Sequence, residues 1–125
     1  MPWRAAMRWI MSEERPGQPI VTYFPTPPIE YHYRGRNVIE RIAVDVGRDS
    51  TRRAVMAVTS PSSMRRTLSR STAPDLVFWM VQRDNVSFGP AYLEPDLHQS
   101  VTVLERREYH GVRAWRLRLA APVVP

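Results

Sequence analysis

The chain is 125 residues long and carries 18 basic and 12 acidic residues, a net charge of +6. It has no cysteine, which excludes disulfide frameworks and thiolate metal sites. No run approaches the ~18 apolar residues of a membrane span, and Arg4 and Arg8 interrupt the one apolar patch near the start, so no signal sequence is expected.

Every basic residue is arginine. GC-rich coding is the first explanation of that bias, and selection for bidentate contacts to phosphate or carboxylate is the functional alternative. Composition alone therefore assigns no partner. A domain of this length buries a core without help from metal or disulfide. The expected location is cytoplasmic, or within a virion or other assembly.

Residues 1–15 read as a short amphipathic helix. Trp3, Met7, Ile10 and Met11 form one apolar stripe, with Arg4, Arg8 and Glu14 off it. A helix this short needs a surface to dock on. That surface is the chain's own domain or another subunit, and the four stripe residues are the candidate subunit contact. From Arg15 to Ile29, five prolines (Pro16, Pro19, Pro25, Pro27 and Pro28) exclude helix. Ile20 to Phe24 reads as a short strand, placed at a sheet edge because proline brackets it. The expected division is an N-terminal helical and proline-rich arm over 1–28 and a β-rich domain over 29–125.

Residues 29–59 read as a three-strand meander. Its strands are Ile29 to Tyr33, Val38 to Val46 and Arg52 to Thr59, with turns at Arg34-Gly35-Arg36 and at Gly47 to Ser50. Ser60 as N-cap and Pro61 at the first helical position open a helix over 61–71. Met64 and Leu68 face inward on it, and Arg65, Arg66 and Arg70 face out. Between Asp49 and Asp75 there are five arginines and no acid. Leu76 to Val81 (LVFWMV) is continuously apolar, the pattern of a strand buried on both faces. A turn follows at Arg83-Asp84-Asn85, with Val86 to Phe88 returning. Ala91 to Gln99 reads as a loop or bent edge.

The stretch from Gln99 to Ala120 carries the clearest pattern. Two alternating runs flank His110-Gly111, the mark of a β-hairpin. That turn pairs Tyr109 with Val112, Glu108 with Arg113, Arg106 with Trp115, Glu105 with Arg116, and Leu104 with Leu117. Opposed pairs of this kind contribute roughly 0.2–1 kcal/mol each. Thr102, Leu104, Trp115, Leu117 and Leu119 share the face expected to be core. Val103, Glu105, Arg107, Arg116 and Arg118 share the face expected to be wet. A type I′ turn needs positive φ at both central residues, which His tolerates less well than Asn. A longer loop with Gly111 in a bulge is the alternative. The fold expected from these elements is mainly β: a twisted antiparallel sheet or small barrel or sandwich, with one or two short helices.

Chemistry is sparse. His32, His98 and His110 lie apart, and none forms an HxH or HxxxH pair. Glu30 with His32, and Asp96 with His98, are acid–histidine pairs at strand spacing, each able in principle to act as an acid/base element. No GxSxG, GxxxxGK[ST] or GxGxxG occurs. No catalytic residue, cofactor or metal is therefore expected, nor an enzyme. The candidate polyanion contacts are Arg52, Arg53, Arg65, Arg66, Arg70, Arg107, Arg116 and Arg118. Tyr31, Tyr33 and Trp9 are candidate stacking surfaces. Glu40, Glu105 and Glu108 interleave with these arginines and weaken that reading. The expected function is a non-enzymatic assembly protein acting through protein contacts or self-association, in the style of a small virion or tail component of a phage with a GC-rich genome. The alternative is nucleic-acid binding through an arginine-rich β-surface.

Overall fold

In a computed structural model of the protein, which describes residues 2–24, 29–48, 54–58, 61–71, 73–83 and 89–124, one sheet runs through the middle of the molecule and helices cover both of its faces. The strands are β1 (Ile20–Phe24), β2 (Ile39–Arg48), β3 (Ala54–Val58), β4 (Val77–Arg83), β5 (Val101–Tyr109) and β6 (Val112–Leu119). The helices are α1 (Pro2–Glu13), α2 (Pro61–Ser69) and α3 (Glu94–Leu97), with single 3₁₀ turns at Ile29–Tyr31 and Pro90–Tyr92. Strand order is β3-β2-β1-β4-β6-β5, an open sheet rather than a barrel. The molecule is mainly β with few helices.

The sheet is mixed, not purely antiparallel. β1 lies near its centre and runs parallel to both β2 and β4. The expected edge position is corrected by where the prolines sit. Pro19 and Pro25 flank the strand, so all five of its residues keep their N–H groups for the ladder. Pro19 itself contributes its carbonyl, which accepts from the Trp79 N–H at 2.9 Å. β2 is long enough to serve two neighbours. Ile39 to Ala43 pair with β1, and Val44 to Arg48 pair with β3.

β4 shows what LVFWMV implies: Val77 to Gln82 are all buried. Phe78 and Met80 point to one face, where they meet Leu68 of α2, Leu97 of α3, and Trp115, Leu117 and Leu119 of β6. Trp79 and Val81 point to the other, where they meet α1 together with Ile20, Ile29, Val112 and Ala114.

α1 is seated on that second face. Trp3, Ala6, Met7 and Ile10 recur at i, i+3, i+4 and i+7 and are buried, while Arg4 and Arg8 remain exposed. Trp9 meets Trp79 edge-on at 5.1 Å. Burying each large apolar side chain is worth about 1.5–3 kcal/mol, which outweighs the marginal stability of an isolated helix of this length. The boundary expected at residue 28 therefore falls inside the core packing, with α1 and β1 both built into it. The arginine-bearing face of the hairpin, expected to be wet, is partly roofed by α1: Val112 and Ala114 on it are fully covered.

Residues 29–38 do not form the first strand of a meander. They make a 3₁₀ turn and a loop in which Tyr33 and Asn37 bond to residues 14–17, and the loop joins β1 where the Val38 carbonyl accepts from the Ile20 N–H at 2.8 Å. Ala91 to Gln99, read as a loop, holds a 3₁₀ turn and α3, and His98 caps α3 in the left-handed region (φ 57°). The turn at 83–85 and the return at 86–88 lie outside the described residues beyond Arg83, as do Ser60 and the proline run 25–28.

The hairpin has the expected two-residue turn. Only Gly111 takes a positive φ (84°), so His110 escapes the left-handed region that a type I′ turn would impose. Tyr109↔Val112 through Glu105↔Arg116 pair as expected. The register then slips, and Val103 rather than Leu104 faces Leu117. Leu104 is the extra residue of a bulge in β5.

Candidate anion-binding end of the sheet

Strands β1, β2 and β4 all begin at the same end of the sheet, and β6 finishes there. The loop from Glu14 to Pro19 crosses this end and is clamped by two amides. Gln18, 3% exposed, accepts from the Arg15 N–H (2.9 Å) and from the Trp79 indole Nε1–H (2.8 Å), and donates to Asp75 Oδ2 (3.2 Å). Asn37 accepts from the Gly17 N–H (2.9 Å) and donates to the Arg15 carbonyl (2.9 Å) and Glu14 Oε1 (3.3 Å). The Tyr33 hydroxyl donates to Glu14 Oε1 at 2.6 Å and accepts from the Asn37 N–H at 2.9 Å. Burial pushes the Glu14 carboxyl above its ordinary range, against the hydrogen bonds from Tyr33 and Asn37 that pull it down. Burial, reinforced by Glu14, holds the Tyr33 phenol well above its ordinary range. Gly35 passes directly beneath this pair and leaves no room for a Cβ.

Two clefts flank the clamped loop, each of about 420 Å³. The first lies between the loop, the start of β2 and the end of α2. Arg36 and Arg70 line it from two sides, with Pro19 and Val38 as its apolar surface. Its hydroxyls are already engaged: Thr67 Oγ1 donates to Glu40 Oε2 (2.9 Å), and Ser71 Oγ donates to the Gly17 carbonyl (2.6 Å). The second lies between the loop, the start of β4 and the β5–β6 ribbon. Arg15, Arg116 and Arg118 line it with Asp75, Val77 and Leu104. Asp75 is occupied by Gln18 and by the Val77 N–H (3.1 Å).

The guanidinium groups are what both clefts leave available. Arg15, Arg36, Arg70 and Arg118 form no ion pair among the described residues. Arg116 reaches Glu105 only at 3.7 Å, whereas Arg107 takes the same carboxylate at 2.7 Å.

The polyanion candidates read from the sequence divide accordingly. Arg70 lines the first cleft, and Arg116 and Arg118 the second. Arg107 is held by Glu105 and stacks 4.7 Å over the Trp9 ring, which makes it part of the α1 seat. Arg65 is half-buried and has a partner within the fold, and Arg66 is exposed on α2. Arg52 and Arg53 lie outside the described residues. Of the candidate subunit contacts, Trp3, Met7 and Ile10 face the chain's own sheet, and Met11 is half-buried with its Sδ accepting from the Arg34 N–H (3.2 Å).

Sequence reasoning missed Arg15 and Arg36. Each sits beside a glycine turn, Arg15-Pro16-Gly17 and Gly35-Arg36, and that was the available signal. His32 stacks edge-on against Tyr31 at 5.3 Å, His98 caps α3 and His110 sits in the hairpin turn, so the three lie in separate elements. No group of three His, Cys, Asp or Glu side chains stands at metal-holding distance among the described residues, and no described helix is long and apolar enough to cross a membrane. Comparison with known proteins gives no match, whether to a family model, a curated protein or a solved structure.

Proposed function

We propose that the protein is a non-enzymatic binding protein for a phosphate-bearing polymer, nucleic acid, held across the arginine-lined end of the sheet. One observation carries this reading. Five guanidinium groups, four of them without an ion pair among the described residues, gather in the two clefts on either side of one clamped loop. Guanidinium forks suit phosphate oxygens, and such contacts position a backbone without reading its sequence. The arginines of the exposed ribbon behave differently: Arg106 and Arg113 both pair with Glu108 at 3.2 Å.

The test is oligonucleotide binding by fluorescence anisotropy at low salt. Arg36→Gln and Arg70→Gln each weaken binding. Arg83→Gln removes the same charge at the opposite end of β4 and leaves affinity unchanged. Equal losses from all three variants would reduce the site to a net-charge effect and overturn it.

A second reading, assembly through protein contacts as in a virion or tail component, rests on β5. This strand forms one edge of the sheet, and Val103 on it is 47% exposed. The charged run Glu105 to Glu108 along the same strand is the pattern by which edge strands resist pairing. Light scattering decides it: a monomer at all concentrations, with no partner, removes the assembly reading.

A further inference from the structure

The two clefts differ in a way that separates a passing backbone from a chain end. The first offers two guanidiniums from different segments and an apolar surface at Pro19 and Val38. The second offers three: Arg15 from the loop after α1, and Arg116 and Arg118 from β6. Asp75, the one acid among its described lining residues, already accepts from Gln18 and Val77. The Nε of Arg116 is buried and has no hydrogen-bond acceptor among the described residues. A guanidinium has five N–H donors and no way to shed its charge, so this group is held with a donor unmet. The bulge at Leu104 supplies an apolar wall opposite Val77.

An internal phosphodiester carries one charge and must lead the chain out in two directions. A terminal phosphomonoester carries a charge of about −1.5 to −2 at neutral pH and three acceptor oxygens, with a single substituent to lead out. Three guanidiniums converging from two segments match the second description. We infer that the cleft between Arg15, Arg116 and Arg118 binds the terminal phosphomonoester of a nucleic-acid chain end. This inference rests on the polyanion reading and adds to it a preference for ends.

The experiment uses one labelled oligonucleotide in three forms: 5′-phosphorylated, 3′-phosphorylated, and hydroxyl-ended at both termini. Each is bound by anisotropy at ~50 mM salt, where phosphate contacts are strong. One phosphorylated form binds about tenfold tighter than the hydroxyl-ended form, the scale of one further hydrogen bond to a charged group. Arg118→Gln, at an exposed position with no ion pair among the described residues, removes that preference, and Arg15→Gln, from the other wall, removes it as well. Arg36→Gln weakens all three forms by the same factor and keeps the preference. Inorganic phosphate competes with the phosphorylated form at lower concentration than with the hydroxyl-ended one. Equal binding of all three forms overturns the end preference and leaves the polyanion reading standing. A preference lost in Arg36→Gln but kept in Arg118→Gln and Arg15→Gln overturns the assignment to this cleft. Absence of binding by any form overturns both.

Discussion

Gln18 is the residue on which the arrangement of the two clefts depends, and replacing it with leucine tests that dependence. Leucine is close in volume and keeps the site filled, so the change isolates the hydrogen bonds. The Trp79 indole N–H, on a side chain with no solvent exposure, loses its acceptor. An orphaned buried donor costs about 1–3 kcal/mol. Asp75, half-buried, loses one donor but keeps access to water, for a further ~0.5–1.5 kcal/mol. The N–H of Arg15, an exposed residue whose bond to Gln18 is part-buried, exchanges that bond for water at little cost. The sum is about 1.5–4.5 kcal/mol. At this chain length a loss of 1 kcal/mol lowers the thermal midpoint by roughly 4 °C, so the expected fall is about 6–18 °C, read by circular dichroism. A cycle with Trp79→Phe isolates the bond, because phenylalanine has no N–H to orphan. Against that background Gln18→Leu costs less, with a coupling of about 1–3 kcal/mol. A Gln18→Leu protein within 0.5 kcal/mol of the parent, roughly the limit for changes that disturb no special feature, would refute the claim that this amide holds the loop to β4.

Three further outcomes follow from single residues. Burial raises the Glu14 carboxyl above its ordinary value of 4.5, so the folded chain keeps that proton to a higher pH than the unfolded chain. Its contribution is fully present below pH 4.5 and is lost as pH rises through the folded value; Glu14→Gln, which still accepts from Tyr33, flattens this decline in urea titrations across the acid range. Gly35→Ala forces a Cβ against the Tyr33 hydroxyl and the Glu14 carboxylate, and moving them aside costs about 1–2 kcal/mol in chemical denaturation through the bond between them. His98→Gly relieves a left-handed backbone at the end of α3 and raises stability by about 0.5–1 kcal/mol; an unchanged or lower denaturation midpoint contradicts that origin.

Local chemistry was legible in the sequence, and long-range pairing was not. The hairpin could be written pair by pair as far as Glu105↔Arg116, because the turn residues and the period of two fix it. It slipped at Leu104 because Val103 and Leu104 are both apolar, and either satisfies Leu117. LVFWMV announced a doubly buried strand, and Pro61 marked the start of α2. The central place of β1 was hidden, since parallel partners are joined through distant connections and no turn chemistry marks them. The seat of α1 left a trace that was not used. Val112 and Ala114 alternate with arginines on the face taken as wet, and a small apolar pair there admits a helix. The same parallel pairing of β1 with β2 and β4 brings Arg15, Arg36 and Arg118 to one end, so their convergence could not be read from spacing.

The salt dependence of oligonucleotide binding tests the central claim most directly. With a duplex oligonucleotide each neutralised phosphate contributes a slope of about −0.9 in log K against log salt, so five arginines acting together give a slope of about −4.5. The variant with Arg15, Arg36, Arg70 and Arg118 all changed to glutamine falls to a slope near −1 on the same relation. A slope unchanged in that variant, or no binding by the parent protein at ~50 mM salt, where such contacts are strongest, contradicts the account.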